Sequence, residues 1–389
     1  MGQAGNLAKA LQLDRQLLSE QERILGPEHP QTLATRSQVA TWIGQSGGAT
    51  RATQLFRELL LDQQRALGTD HPEVLATRHN MAYWTGATGD GTQALQLYRE
   101  LAPDQERILG PGHPLTLTTR NNIAHWTGTI GNATEALRLY RDLLSDRERF
   151  LGSDHRDTLI ARGNVAIWTA DSGDAGRALQ LFRELLSDQE RVLGPDHPDT
   201  LTTRSQIATR TWLAGDTARG LQLLLELLAD RQRVLGRDHP DTLETRSNLA
   251  SWTGHAGDPT RALRLQRKLL PQKEHVLGPD HHETLKTRGN VAVWTGKTGD
   301  AAGAVKLFRE LLPHQERVLG PDHPDTLATR GNIAIWTLEM GDAAGAVKLL
   351  RELLPDQERV LGPDHPDTVA TRNFIREWSR RTGGHTEAP

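Results

Sequence analysis

The sequence predicts an all-α chain folded as a solenoid, and three observations carry that expectation. A segment around Leu25-Gly26-Pro27-Glu28-His29-Pro30 returns at Leu67, Leu109, Leu151, Leu193, Leu235, Leu277, Leu319 and Leu361, a period of 42 residues without insertion or deletion. Trp recurs in that period at 42, 84, 126, 168, 252, 294, 336 and 378, and Arg stands six places before each Trp position, from Arg36 to Arg372. Each period also holds two stretches of helical apolar spacing separated by glycine, and no strand pattern. A fixed period of this length marks stacked repeats whatever the local propensities.

Each element follows from its punctuation. The first helix of a period opens at His-Pro-Asp-Thr, as at Pro198. Proline is tolerated there because its missing N–H would be unpaired anyway, and the Asp favours the positive helix end. The connector histidine accepts a first-turn N–H. The helix runs to Gly215-Asp216, where glycine supplies the left-handed stop. The second helix covers about seventeen residues, with Ala178, Leu179, Phe182, Leu185 and Leu186 on one stripe, and ends at Leu193-Gly194-Pro195. A helix pair with one stripe on each member cannot bury both alone, so pairs stack. Ala40, Ala82, Ala124, Ala166, Ala208, Ala250, Ala292 and Ala334 form the small column that close helix approach needs. The expected organisation is one solenoid over residues 1–382. It comprises a leading second-type helix at 6–25, eight full repeats from about 30 to 361, a closing helix at 366–381, and a disordered tail at 383–389.

Composition excludes several classes. Only 36% of the 389 residues are hydrophobic and 4% aromatic, which argues against one large core. A net charge of −3 leaves no excess of cations for nucleic acid. Without cysteine there is no disulfide framework and no thiolate metal site. No apolar run is long enough to span a bilayer and the N-terminus lacks a secretory core, so no membrane partner and a cytoplasmic location are expected.

At these residues the chain resembles the tetratricopeptide repeat (TPR) family. Val39-Ala40 with Ala52-x3-Phe56, Ile123-Ala124 with Ala136-x3-Tyr140, and Val165-Ala166 with Ala178-x3-Phe182 match its pattern. The Gly220-x3-Leu224 and Ala262-x3-Gln266 units depart at the aromatic place. The 42-residue period and the Leu-Gly-Pro-Asp-His-Pro connector are similar to the longer repeats of kinesin light chain and its bacterial and fungal relatives. The resemblance implies a right-handed α-solenoid that acts as a non-catalytic scaffold, with a peptide or partner helix held in a concave groove lined by first helices. Similar arrays form sensor regions of STAND-type (NB-ARC-like) regulatory ATPases in bacterial signalling and defence, which is the alternative. In the family an Asn two places before the small Ala often clasps the peptide backbone. Here that residue is Asn80, Asn122, Asn164, Asn248, Asn290 or Asn332, with Gln38 and Gln206 in two units.

Flanking positions refine the candidate site. Gly163 with Ile167, Gly289 with Val293, and Gly331 with Ile335 pair a glycine with a β-branched residue four places on, hence on one helix face. Two apolar groove patches are expected there, around units four and seven to eight. Elsewhere the pair is polar or aromatic, including His79 with Tyr83 and Asn121 with His125. The fifth unit carries Arg210 at the Trp place and Trp212 two residues on, a rotation of about 200°, which aims Trp212 at the groove as an anchor unless a local helix bulge returns it to the core. The arginine column is expected to pair with acids of the adjacent unit.

No catalytic, metal or cofactor constellation is expected. The connector histidines belong to separate units and should not converge. Gly296-Lys297-Thr298 lacks the glycine and strand of a phosphate loop. Gly2 to Asn6 align with Gly44 to Gly48, which suggests a fragment whose uncapped first helix could self-associate. The expectation is a protein-binding scaffold, not an enzyme.

Overall fold

The computed structural model describes residues 2–383, with side chains described for residues 7–378. Every regular element among them is an α-helix. The helices are α1 (Gly2–Ile24), α2 (Pro30–Gln45), α3 (Ala49–Leu67), α4 (Pro72–Ala87), α5 (Gly91–Ile108), α6 (Pro114–Thr129), α7 (Ala133–Leu151), α8 (Arg156–Asp171) and α9 (Ala175–Val192). They continue as α10 (Pro198–Leu213), α11 (Thr217–Val234), α12 (Pro240–His255), α13 (Pro259–Val276), α14 (His282–Lys297), α15 (Ala301–Val318), α16 (Pro324–Glu339), α17 (Ala343–Val360) and α18 (Pro366–Gly383). Even numbers are first helices and odd numbers second helices. The leading helix starts earlier than residue 6, and Gly383 belongs to α18. The rest of the expected tail lies outside the described residues.

The chain divides into two compact units, Met1–Arg210 and Thr211–Pro389, with the division inside α10. In the first unit each helix from α1 to α9 packs on its sequence neighbours, and in the second α11 to α18 do the same. Within the second unit α12 also touches α14, and α14 touches α16, so first helices stand side by side. This is the α-solenoid of stacked helix pairs.

Second helices bury one stripe, as α9 does with Ala178, Phe182, Leu185 and Gln189. First helices differ from the expected single stripe. Those of α4 that are buried, Val74, Leu75, Thr77, His79, Ala82, Trp84, Thr85 and Gly86, lie around much of the helix. A helix flanked by the second helices of two successive pairs is covered on more than one side. The alanine column is buried throughout, from Ala40 to Ala334.

The punctuation works as read. Nδ1 of every connector histidine, His29, His71, His113, His155, His197, His239, His281, His323 and His365, accepts the backbone N–H two residues on, at 3.1 to 3.3 Å. That requires the neutral Nε2–H tautomer. Asp90, Asn132, Asp174 and Asp216 cap second helices by accepting the backbone N–H three residues on. Among the described residues, all those at positive φ are glycines. Gly68, which ends α3, has φ 85° and ψ 159°, a region open to glycine alone.

The arginine column pairs differently from expectation in several units, whereas Arg288 with Glu274 at 2.7 Å and Arg372 with Glu358 at 2.6 Å do meet an acid of the adjacent unit. Arg36 meets Asp62 at 2.7 Å, Arg78 meets Asp104 at 2.6 Å, Arg162 meets Asp188 at 2.7 Å and Arg330 meets Asp356 at 2.7 Å. Each partner is on the second helix of the same pair, which lies nearer than the next pair. A second set ties a second helix to the connector that opens its own pair, Arg107–Asp70 at 2.9 Å, Arg191–Asp154 at 2.7 Å and Arg359–Asp322 at 2.6 Å.

Successive pairs also meet through Trp on glycine. A Cβ added at Gly44 would lie 2.5 Å from the Trp84 ring, and one at Gly296 would lie 2.6 Å from Trp336. Gly289, on the same helix as Gly296, has only Leu311 Cδ2 at 3.7 Å. Gly296→Ala is therefore expected to destabilise by about 1–3 kcal/mol through overpacking. Gly289→Ala should stabilise by roughly 0.5–1 kcal/mol through helix propensity. Urea unfolding of both variants checks this, and equal shifts would refute the Trp-on-glycine account.

Candidate functional site

In the first unit the candidate residues occupy three neighbouring first helices. Asn80, Asn122 and Asn164 are half-buried on α4, α6 and α8. Tyr83 is 53% exposed and leans edge-on against Trp84, with ring centroids 5.0 Å apart. His125 is exposed and makes the same contact with Trp126 at 5.2 Å. Ile167 is half-buried at the equivalent place of α8. Tyr83, His125 and Ile167 thus share one register on successive helices.

The amides are partly occupied by the fold. Asn164 Nδ2 donates to Asn121 Oδ1 at 3.2 Å, across two first helices. Asn122 lies beside the Tyr98 hydroxyl, whose pKa burial raises. Gly163 is half-buried, and a Cβ there would lie 3.5 Å from Leu185 Cδ2 of the second helix. Its equivalent His79 is buried, shares a hydrogen bond of 2.8 Å with Thr119 Oγ1, and packs edge-on against Tyr98. The glycine column thus faces the packing between helices, and the residue four places later lies nearer solvent. The α-helical twist of about 40° over four residues separates the two members of each pair.

In the second unit Asn248, Asn290 and Asn332 are half-buried on α12, α14 and α16. Val293, Gly289 and Gly331 are half-buried, and Ile335 is 48% exposed. Trp212 does not stand as a free anchor. Its ring stacks on Trp252 with centroids 4.8 Å apart and planes 12° from parallel. The position two residues past the usual Trp is where glycine receives the next pair's indole, so a Trp placed there stacks on it.

The sequence reading did not anticipate a cleft of about 280 Å³ among α13, α14 and α15, lined by Leu270, Val291, Leu307, Leu311, Arg288, Glu310 and His314. The signal was available in the arginine column's partner. His314 replaces the usual Asp, and Arg288 turns back to Glu274 at 2.7 Å. One histidine outside the connector set approaches a connector histidine of the next unit. His282 and His323 approach to 6.1 Å between ring centroids, and His282 Nε2 lies 2.7 Å from Asp325 Oδ2. Arg156 makes the equivalent contact with Asp199 at 2.6 Å. Arg156 and His282 stand where the other first helices have proline, so a polar link to the first turn of the next first helix replaces the rigid opening.

Among the described residues no helix is long and apolar enough to cross a membrane. Tetratricopeptide repeat family models match residues 79–149, 211–274 and 289–357, and also residues 2–31, 32–73 and 158–199. The chain is a tetratricopeptide repeat protein. Among solved structures, the repeats designated a kinesin light chain of Podosopora anserina are 23% identical, covering 53% of this chain and 97% of that one, with a TM-score of 0.47. A tetratricopeptide repeat protein of Parabacteroides merdae is 13% identical over 78% of this chain and 98% of its own, with a TM-score of 0.50. The signal-transduction ATPase with numerous domains (STAND) of Pyrococcus horikoshii, which has a tetratricopeptide repeat sensor, is 10% identical. It covers 94% of this chain and 55% of its own, with a TM-score of 0.51. No curated protein matches the chain. The tetratricopeptide repeat fold generally serves as a non-catalytic scaffold for protein contacts.

One buried group of this TPR protein sets a pH dependence. Burial lowers the His79 pKa from 6.5 to about 4, because the imidazolium has no counter-charge to replace its hydration. The contribution is present above pH 6.5 and is lost as pH falls toward 4. It amounts to about 3 kcal/mol at 1.36 kcal/mol per pK unit. Wild type should therefore lose more stability than His79→Ser between pH 7 and 4, measured by urea midpoints. Parallel losses would refute the assignment.

Proposed function

We propose that this tetratricopeptide repeat protein holds a peptide or a helix of a partner protein along the outward register of its first helices. Tyr83 and His125 carry the reading. Two successive helices present an aromatic ring to solvent at one register, Tyr83 at 53% exposure, where burial would be the cheaper state. A Tyr has a large contact area and one polar tip, which suits an anchor. The half-buried amides of Asn80 and Asn122 beside them offer both donor and acceptor to a peptide backbone. In the second unit, Val293 and the exposed Ile335 with Asn290 and Asn332 offer an apolar counterpart. Trp212 contributes at most the ring face that Trp252 leaves open, and the Asn164 amide would first have to leave Asn121.

A second reading makes the array the sensor arm of a larger regulatory ATPase. The likeness to the STAND repeats spans 94% of this chain and supports the fold such an arm needs. A nucleotide-binding segment in the same reading frame would decide for it.

Peptides selected from a display library against the full chain should lose roughly tenfold or more affinity on Tyr83→Ala or Ile335→Ala. Fluorescence anisotropy checks this. Selected peptides that bind both variants as tightly as wild type would remove the first-helix register from the mechanism.

A further inference from the structure

The second helices carry a charge pattern that one of them reverses. The position four before the arginine-pairing acid is Glu58, Glu100, Asp142, Glu184, Glu226, Glu310 or Glu352, a carboxylate in every full repeat except one. In α13 it is Lys268. The pairing acid itself is absent from the same helix, where Gln272 Oε1 accepts from Arg246 at 2.6 Å. Glu58 and Glu310 line the equivalent clefts of α1–α3 and α13–α15, which places Lys268 beside Arg246 between α11 and α13. The corresponding set around α8 is Glu148, Arg162, Glu184 and Asp188. Around α12 it is Gln232, Arg246, Lys268 and Gln272, two cations with no acid.

Arg261, Arg264 and Arg267 extend this charge along the exposed face of α13. None of these three, nor Lys268, has an ion-pair partner among the described residues. The nearest acids are otherwise engaged. Glu226 accepts from Gln222 at 2.9 Å, Asp230 meets Arg233 at 3.0 Å, and Glu274 is held by Arg288. Asp238 lies near Arg246 together with Arg237, whose charges oppose one another. Like charges three and four residues apart destabilise a helix. The Gln180 and Glu184 that α9 carries at the Arg264 and Lys268 places relieve that repulsion, so stability does not account for the cations.

We infer that the exposed face of α13, with Arg246 at its edge, is a docking surface for an acidic segment of a partner protein. Four unpaired cations within two helical turns match a run of carboxylates, and guanidinium groups take them bidentately. The negative net charge of the whole chain disfavours general polyanion binding and leaves this as a local attraction. It lies on the second-helix row and stands apart from the first-helix register.

The test uses the full chain and a fluorescein-labelled oligoglutamate peptide followed by anisotropy. The variant Arg264→Gln/Lys268→Glu installs residues that sibling helices carry, so it should fold at least as stably, read by its melting midpoint. Binding should weaken roughly tenfold or more and lose much of its salt dependence. The charge-matched variant Lys306→Gln/Lys348→Glu on α15 and α17 should bind as wild type does. Equal losses in the two variants, or no loss in the first, would overturn the proposal. So would an RNA oligonucleotide of equal charge that binds more tightly and shows the same α13 dependence. Tyr83→Ala should leave oligoglutamate binding unchanged, which separates failure of this surface from failure of the first-helix site.

Discussion

The structure depends on the contact between the indole of one helix pair and the glycine of the pair before it. Trp buries on the order of 200 Å² of surface and needs a flat place to lie. A backbone without Cβ supplies that place, as Gly44 does for Trp84, and Gly254 and Gly296 do for Trp294 and Trp336. The chain shows the dependence internally. Where Arg210 replaces the indole, the preceding glycine is no longer required, and Ala170 stands there. Arg210 instead approaches Asp171 at 3.7 Å. Where Trp212 replaces the glycine, the next indole stacks on it rather than on backbone. At these two units a changed receiver place goes with a changed contact, and Leu338 stands at that place before Trp378.

That contact constrains which residues remain free to specify a partner. The Trp, glycine, alanine, arginine and histidine columns are spent on stacking, on neutralising buried-edge charge, and on helix entry. The variable columns are those pointing away from these duties. Tyr83, His125, Ile167, Val293 and Ile335 occupy one of them, and the acid-to-Lys268 column is another. A repeat protein with near-identical scaffolding can therefore differ in recognition from pair to pair without retuning its core.

The fold was legible because its signals are local and ninefold. The histidine caps, glycine stops and second-helix stripes each need only neighbouring residues, and repetition removed ambiguity. The division inside α10 was not anticipated as a boundary, although Arg210 and Trp212 had marked the anomaly. The site was less legible because exposure on a first helix depends on how pairs pack, which periodicity does not encode. His79 and Tyr83 look like equivalent neighbours on a helical wheel, yet one is buried against Tyr98 and the other is exposed. The pairing of Arg36 with Asp62 within one pair is likewise a matter of helix approach. The charge reversal in α13 could be read from the columns alone, but its meaning required knowing that Arg246 had lost its carboxylate.

Within α13 the structure also separates cations that hold the fold from cations that do not. Lys273 is 1% exposed and fills a column that is Gln63, Gln105 or Gln189 in other helices and Arg147 or Arg231 in two. Its ammonium donates to the Glu283 backbone carbonyl at 3.3 Å and to the Glu283 carboxylate at 3.1 Å, tying the end of one pair to the first turn of the next. Arg147 and Arg231 reach the Asp157 and Asp241 carbonyls in the same way, at 2.8 and 3.1 Å. Burial pushes the Lys273 pKa down and Glu283 opposes it. Losing either partner would strand a buried charge, which is far costlier than leaving a solvated one unpaired. Lys273 is thus accounted for by packing, whereas Arg261, Arg264, Arg267 and Lys268 on the opposite face have no such duty. The same helix carries a structural cation inward and a set of uncompensated ones outward, and only the outward set remains available to a partner.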